Sequence, residues 1–221
     1  MNPRILFTAM TLMIMAIDGG TQTSTSDTLL EIIPADEIRS ALNEAPFREG
    51  PSPDTPNGIP HQQHNQNAPV AMQEALRAAA SALPSIKFEP TPFSLAGSVG
   101  WRLDGSSTQG PAGAFIRDTL EFVHQHVPTD GSMHMLLPLE FSRAALEKGW
   151  GVIHPLNDSI SGENSEYVMI FGPRDEGELK TIWIIAQISY YQARGLSMEP
   201  KSSTAVPAVP WGQAKGDHTH E

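Results

Sequence analysis

The sequence contains no cysteine at any of its 221 positions. Disulfide bonds, thiolate zinc sites and cysteine nucleophiles are therefore excluded as sources of stability or chemistry. Positive charge is also scarce, because 14 Lys and Arg residues stand against 25 Asp and Glu residues and the net charge is −11. Since no basic stripe and no interleaving of Arg with aromatic residues occurs, we expect no nucleic-acid partner.

The apolar run at the N-terminus, Ile5 to Ile17 behind Arg4, is too short to cross a bilayer. As a helix it would rise roughly 20 Å, against a hydrocarbon core of about 30 Å. A basic start before a short apolar segment is typical of a signal peptide. We expect residues 1–20 to be a signal peptide or an N-terminal membrane anchor, with a membrane-surface helix or a packed helix as alternatives. The protein would then be secreted or associated with the endoplasmic reticulum membrane through residues 5–17.

Hydrophobic periodicity divides the rest of the chain into a polar linker at 21–34, one domain at 35–196 and a tail at 197–221 that is rich in Pro, Ser and Ala and expected to be disordered. Spacing of three and four predicts helices at 35–45, 70–83, 139–148 and 175–194. Alternation and short apolar runs predict strands at 86–89, 98–103, 121–126, 133–137 and 167–171. Because no βαβ units alternate, the fold class is predicted as α+β, a single domain with an antiparallel sheet, a histidine-bearing hairpin and packed helices.

Four of the eight histidines lie between residues 121 and 156, in two short patterns. The Asp130-Gly131 pair predicts a hairpin, and period two then places Phe122, His124 and His126 on one face with His134 across the ladder. His154 precedes a proline in extended backbone and is a candidate fourth member. The alternative is that these are polar residues on a half-exposed strand.

Imidazole acts as a base, an acid or a metal ligand near neutral pH, so the cluster predicts chemistry. We predict that His124, His126, His134 and His154 are catalytic and line one pocket. A divalent metal on His124, His126 and His134 is a second possibility.

Three further residues are candidates for substrate binding. His61 lies in a long loop at 47–67 that is rich in Pro, Gly, Asn and Gln, and the loop is expected to fold over the site. Trp150 is either a substrate platform or a core residue. Arg174 either binds an anionic group of the substrate or pairs with a neighbouring carboxylate.

The ordered motifs between residues 121 and 195 resemble the fungal luciferase family, whose members oxidise 3-hydroxyhispidin, and its non-luminous relatives. The motifs that carry the resemblance are His124-Gln125-His126, Ser132-Met133-His134, Lys148-Gly149-Trp150-Gly151, His154-Pro155-Leu156, Gly172-Pro173-Arg174-Asp175-Glu176, Ser189-Tyr190 and, upstream, Phe47-Arg48-Glu49-Gly50 and Pro60-His61-Gln62. The chain departs from luminous members at Val127–Asp130 and Asn157–Ile160, so we expect a non-luminous relative.

The resemblance implies a small-molecule enzyme of fungal secondary metabolism with oxygenase-type chemistry on an enolic, phenolic or polyketide-like substrate. Dioxygen would be the co-substrate, a histidine the base, and no cofactor would be required, although a divalent metal is compatible with the site. A cofactor-free cyclase or isomerase that uses the same histidines as acid and base is the alternative. A non-catalytic small-molecule binder is a further one.

Overall fold

The structure is a computed structural model and describes residues 30–117 and 119–201. The predicted signal peptide or anchor at 1–20, and the tail beyond residue 201, lie outside the described residues, so these assignments stay predictions. Within the described part of the chain, no helix is both long enough and apolar enough to cross a membrane.

The described chain forms five α-helices, one short 3₁₀ helix and six strands. The helices are α1 (Ile38–Glu44), α2 (Val70–Ser81), α3 (Leu139–Glu147), α4 (Asn157–Ile160) and α5 (Glu176–Arg194), with the 3₁₀ helix at Ala112–Ala114. The strands are β1 (Ile86–Pro90), β2 (Val99–Leu103), β3 (Glu121–Gln125), β4 (Met133–Pro138), β5 (Gly151–Ile153) and β6 (Ser165–Ile170).

The strands form one antiparallel sheet in the order β1-β2-β3-β4-β6-β5. The predicted α+β class is therefore confirmed, and so is the hairpin formed by β3 and β4. Its register pairs His124 with His134 and Gln125 with Met133. Directly paired residues place their side chains on the same face of a sheet, so the two histidines must meet.

The sheet is buried on both faces, and alternation assigns the side chains of β4 to different layers. Met135 and Leu137 join the main hydrophobic core, which α1, α2, α3 and α5 cover. Leu136 points to the opposite face, where it packs with Ile116 and Tyr167. His134 precedes Met135 and therefore lies on this second face, which loops cover.

Helix α5 supports the first face of the sheet. It begins at Asp175, whose side chain accepts a hydrogen bond from the Glu178 N–H at 2.9 Å, and it ends at Gly195 with a φ of 66°. These are the N-terminal cap and the left-handed C-terminal residue that the sequence predicts. Its apolar side chains are buried almost all round, and the helix contacts β3 and β4 directly below the hairpin.

The predicted alternation along β3 is wrong at its first residues. The register shifts between Trp101 and Arg102 of β2, so that Phe122 has no partner of its own in the ladder. Such a bulge reverses the facing of the residues before it. Phe122 therefore packs in the main core with Val123 instead of sharing a face with His124, and Glu121 moves to the histidine side.

Candidate active site

Five histidines meet on the second face of the sheet. His124 and His134 come from β3 and β4, and His126 follows β3. His154 follows β5, where its backbone N–H donates to the Tyr167 carbonyl at 2.9 Å, and His61 comes from the long loop. The ring centroid of His134 lies 4.9 Å from that of His124, 4.7 Å from that of His126, 4.4 Å from that of His154 and 5.4 Å from that of His61. His134 is thus the centre of the cluster.

A chain of hydrogen bonds fixes the protonation of His134. Glu121 Oε1 lies 2.9 Å from His124 Nδ1, and His124 Nε2 lies 3.0 Å from His134 Nδ1. Because a carboxylate only accepts, the His124 proton is on Nδ1 and its Nε2 is an acceptor. His134 must then donate from Nδ1, which leaves an unprotonated Nε2 at the end of the chain. That nitrogen is buried and has no partner among the described residues.

Three neighbours hold the Glu121 side chain, which is fully buried. Thr91 donates its hydroxyl to Oε1 at 2.9 Å, and Arg102 lies 3.3 Å from Oε2 and supplies the compensating charge. Gly100, the residue paired with His124, leaves the space for the carboxyl group, since a Cβ there would lie 2.4 Å from Oε2. The carboxylate is therefore fixed by charge, by hydrogen bonding and by shape.

His126 is held by the turn of the hairpin. Its Nδ1 lies 3.3 Å from Asp130 Oδ2 and 3.1 Å from Ser132 Oγ, and its buried Nε2 has no partner among the described residues. Burial raises the pKa of Asp130, but the hydrogen bonds from His126 and Ser132 outweigh it and the net pKa is lowered. Asp130 therefore stays ionised and, as an acceptor for Nδ1, orients the His126 ring beside His134.

The same aspartate anchors the long loop that carries His61. Gln63 donates its backbone N–H to Asp130 Oδ2 at 3.3 Å, and its side-chain carbonyl accepts from the Gly172 N–H at 3.1 Å. Its amide nitrogen donates to the carbonyls of Asn65 and Gln66 at 2.8 and 2.6 Å. The loop is therefore tied to the hairpin and to the strand end beside α5, which places His61 over the cluster.

His154 has the opposite tautomer to His134. The Leu156 backbone N–H donates to His154 Nδ1 at 3.0 Å, so the neutral ring carries its proton on Nε2. Burial, followed by repulsion from His61, His124 and His126 when these rings are protonated, lowers the pKa of His154 to about 3. The ring is neutral near pH 7 and offers a hydrogen-bond donor at Nε2.

Burial also lowers the pKa of three other rings, those of His61, His124 and His134. It lowers the pKa of His61 to about 4, with a further contribution from His126. It lowers the pKa of His124 despite the Glu121 carboxylate. It lowers the pKa of His134 well below its usual value, and the neighbouring histidines lower it further. For Tyr167, burial raises the pKa, so its phenol keeps its proton. The cluster therefore presents a neutral base beside neutral donors.

A cavity of about 350 Å³ opens onto this cluster. His61, His134, His154 and Tyr167 are its aromatic polar residues, and Ser94 and Arg117 are polar as well. The remaining residues that line it are Ile59, Pro60, Pro92, Phe93, Leu95, Ile116, Leu156 and Ile160. An apolar cavity with a few convergent polar groups is the usual form of a small-molecule site.

The structure brings the four predicted catalytic histidines together, but in two layers. His134 and His154 line the cavity, whereas His124 and His126 lie behind His134 and reach the cavity only through it. The expectation that all four line one pocket is therefore corrected. The reason is geometric. The ring of His134, on β4, lies between the cavity and the rings of His124 and His126.

Two predicted substrate-binding residues lie elsewhere. Trp150 is 2% exposed, belongs to the main core and donates its indole N–H to the Pro46 carbonyl at 2.9 Å. Arg174 pairs with Glu178 and also donates to Gln66 at 3.1 Å. Neither residue lines the cavity beside the histidines; both line a separate pocket of about 250 Å³ together with Phe47 and Glu178. His61, the third such residue, does line it.

Sequence reasoning missed the roles of Glu121, Asp130 and Tyr167. In a regular strand, Glu121 and His124 would lie on opposite faces, and only the bulge brings them together. The sequence predicts Asp130 only as a turn residue, although a carboxylate four positions after a histidine indicates a group that can orient that histidine's ring. Tyr167 lies 4.3 Å from His154 between ring centroids and was interpreted only as part of an apolar strand.

Two sets of three histidines place a ligand atom from each ring within 4.8 Å of one another, namely His124, His126 and His134, and His61, His134 and His154. A metal ligand must offer a free lone pair. In the first set, the Nε2 lone pair of His124 accepts from His134, and in the second, Nδ1 of His154 accepts from Leu156. A metal in either set would have to displace one of these hydrogen bonds or use a different nitrogen.

Comparison with known proteins finds relatives for the part of the chain that carries these histidines. A family model described as the Luciferase domain matches residues 119–189, which run from β3 into α5 and include all four predicted catalytic histidines. The luciferase of Armillaria mellea is 28% identical over 167 residues, and that of Neonothopanus nambi is 26% identical over 166 residues. No solved structure matches the chain significantly.

These matches cover 69% of this chain and 62% of each relative, so the chain spans about three fifths of the length of the curated relatives. The ordered motifs, the matched domain and the fungal relatives agree with one another. Residues 119–189 therefore match the Luciferase domain, and the chain is similar to fungal luciferases over 69% of its length.

Proposed function

We propose that the protein is an enzyme in which His134 Nε2 removes a proton from an enolic or phenolic small molecule bound in the cavity. The observation that carries this proposal is the buried, unpartnered Nε2 of His134, a residue that lines the cavity. An unsatisfied buried nitrogen costs roughly 1–3 kcal/mol of stability. A substrate hydroxyl that donates to it would remove that cost and would be positioned for proton transfer.

The relay behind His134 stabilises the charge that proton transfer creates. When His134 Nε2 accepts the proton, its Nδ1 proton lies on the hydrogen bond to His124 Nε2, and the positive charge is shared towards Glu121. A carboxylate at the end of such a relay orients the base and stabilises the imidazolium form. On the substrate side, His154 Nε2–H and the Tyr167 hydroxyl are neutral donors for the developing oxyanion.

The oxygen step is the part of the proposal that rests on the fungal luciferase relatives. The enolate transfers one electron to O₂, and the resulting substrate radical and superoxide combine to form a C–O bond. The peroxide anion then takes back the proton held by His134, so that substrate and O₂ give a hydroperoxide with no other reductant. The proposal needs O₂ as co-substrate and no bound cofactor.

The experiment is O₂ consumption by the purified full chain with 3-hydroxyhispidin and a panel of enolic pyrones and phenols. Metal content and light emission are measured on the same samples. We expect His134→Ala and His126→Ala to lower turnover by about 10²-fold or more, as expected for loss of a general base or of its support. His64→Ala is the matched control, because His64 is an exposed histidine of the same loop region.

Two results would count against the proposal. Full activity in both folded variants would make the cluster structural. Conversion of the substrate without O₂ uptake would favour the cyclase or isomerase that uses the same rings as acid and base.

A further inference from the structure

The cavity has one cationic side chain among its described lining residues, and no carboxylate. Arg117 lines it together with Phe93, and the guanidinium lies 5.8 Å from the centroid of the Phe93 ring. The chain as a whole carries a net charge of −11, so a cavity wall with only positive charge differs from the average surface. The charge of the cavity therefore favours an anionic ligand.

Arg117 forms no ion pair with another described residue. By contrast, Arg39, Arg48, Arg102 and Arg174 each pair with a glutamate. These arginines hold elements of the fold together, whereas Arg117 has no such structural partner in the described chain. A guanidinium that lines a cavity and forms no ion pair with another described residue is available for an oxyanion, whose geometry matches its planar donors.

The backbone fixes where Arg117 lies. Its φ is +56°, in the left-handed region that a long L side chain rarely adopts. Ile116, directly before it, is fully buried against Leu136 and Tyr167 and donates its N–H to the Glu121 carbonyl at 2.7 Å. Arg117, the residue after this anchor, therefore turns at the edge of the cavity. Unusual backbone of this kind is concentrated at ligand-binding positions.

We propose that Arg117 binds a delocalised oxyanion, such as a carboxylate or an acidic enolate, on a flat apolar ligand whose other end reaches His134. The inference deepens the proposed function, on which it rests for the orientation of the ligand. It defines the substrate class as aromatic or conjugated acids. The apolar lining, with Phe93, Ile116 and Ile160, would contact the body of such a molecule.

The test is calorimetric binding of 2-naphthoate and its neutral analogue 2-naphthamide to the full chain. We expect naphthoate to bind the wild-type protein more tightly than naphthamide. Arg117→Gln should raise the dissociation constant of naphthoate about tenfold, the effect of losing one charge-assisted contact. The dissociation constant of naphthamide should change by less than about twofold. Arg117→Lys should keep part of the preference. Arg143→Gln is the matched control, because it removes the same charge from an exposed position on α3.

Four outcomes overturn the inference. They are absence of naphthoate binding, no preference for naphthoate in the wild type, equal weakening of the binding of both ligands by Arg117→Gln, and the same effect from Arg143→Gln. Thermal unfolding checks that each variant is folded. His134→Gln separates this inference from the proposed function. Loss of turnover with naphthoate binding retained supports both, whereas full turnover in His134→Gln contradicts the proposed function and leaves the Arg117 result standing.

Discussion

Acidification from pH 7.5 to 5.5 should destabilise the protein through its buried histidines. In the unfolded chain a histidine titrates near 6.5, whereas burial lowers the pKa of His61 to about 4 and that of His154 to about 3. Above pH 6.5 both states leave these rings neutral and folding is unaffected. Below pH 6.5, these rings are protonated in the unfolded chain but stay neutral in the folded protein, so the free energy of unfolding falls as the pH falls.

The size of the effect follows from the same values. At pH 5.5, one unit below the unfolded pKa, each ring that stays neutral in the folded state lowers the free energy of unfolding by about 1.4 kcal/mol. His61 and His154 together give about 3 kcal/mol. The lowered pKa values of His124 and His134 act in the same direction. For a domain stabilised by about 5–15 kcal/mol, this is a large share.

Urea unfolding of the full chain at the two pH values measures this difference. The lowered pKa values of Asp104, held by hydrogen bonds from Ser106 and Ser107, and of Asp130 keep both carboxylates ionised across the range. His154→Asn should reduce the pH-dependent loss by about 1.4 kcal/mol. His64→Asn, at an exposed position, should leave the loss unchanged. Equal stability of the wild type at pH 7.5 and 5.5 would refute the reasoning.

Two further predictions concern the support of the relay. Glu121→Gln should lower O₂-dependent turnover by roughly 10²-fold, because the amide no longer fixes the proton of His124 on Nδ1. The control is Glu89→Gln, which should leave turnover unchanged, because Glu89 is the exposed glutamate that also pairs with Arg102, the partner of Glu121. Gly100→Ala should displace the Glu121 carboxyl group and cost about 1–3 kcal/mol in urea unfolding, whereas Gly105→Ala, with no atom within 4 Å of an added Cβ, should be nearly neutral. Wild-type turnover in Glu121→Gln, or wild-type stability in Gly100→Ala, would remove the relay from the account.

Local sequence signals predict the frame of the fold well. Asp175 and Gly195 mark the ends of α5, and alternation with the Asp130-Gly131 turn gives the hairpin and the pairing of His124 with His134. These features depend on residues close in sequence, whose backbone preferences and periodicity are readable without tertiary information. The location of the site on the hairpin follows from them.

The order within the site depends on long-range contacts and is not readable in this way. The bulge that brings Glu121 to His124 arises where β3 meets β2, and β-bulges leave little trace in a single strand's sequence. The loop that carries His61 has no periodicity. Its path is set by the hydrogen bonds of Gln63 with Asp130 and Gly172, which are distant in sequence. Which histidines line the cavity is decided by that packing.

The proposed mechanism requires that the relay from Glu121 leave the buried Nε2 of His134 unprotonated. The long-range ¹H–¹⁵N correlation spectrum of the histidine rings in the full chain at pH 7, assigned with single His→Gln variants, measures this directly. We expect neutral rings with the proton on Nδ1 for His124 and His134 and on Nε2 for His154. A His134 ring that carries its proton on Nε2, or that is doubly protonated at pH 7, would contradict the proposed mechanism.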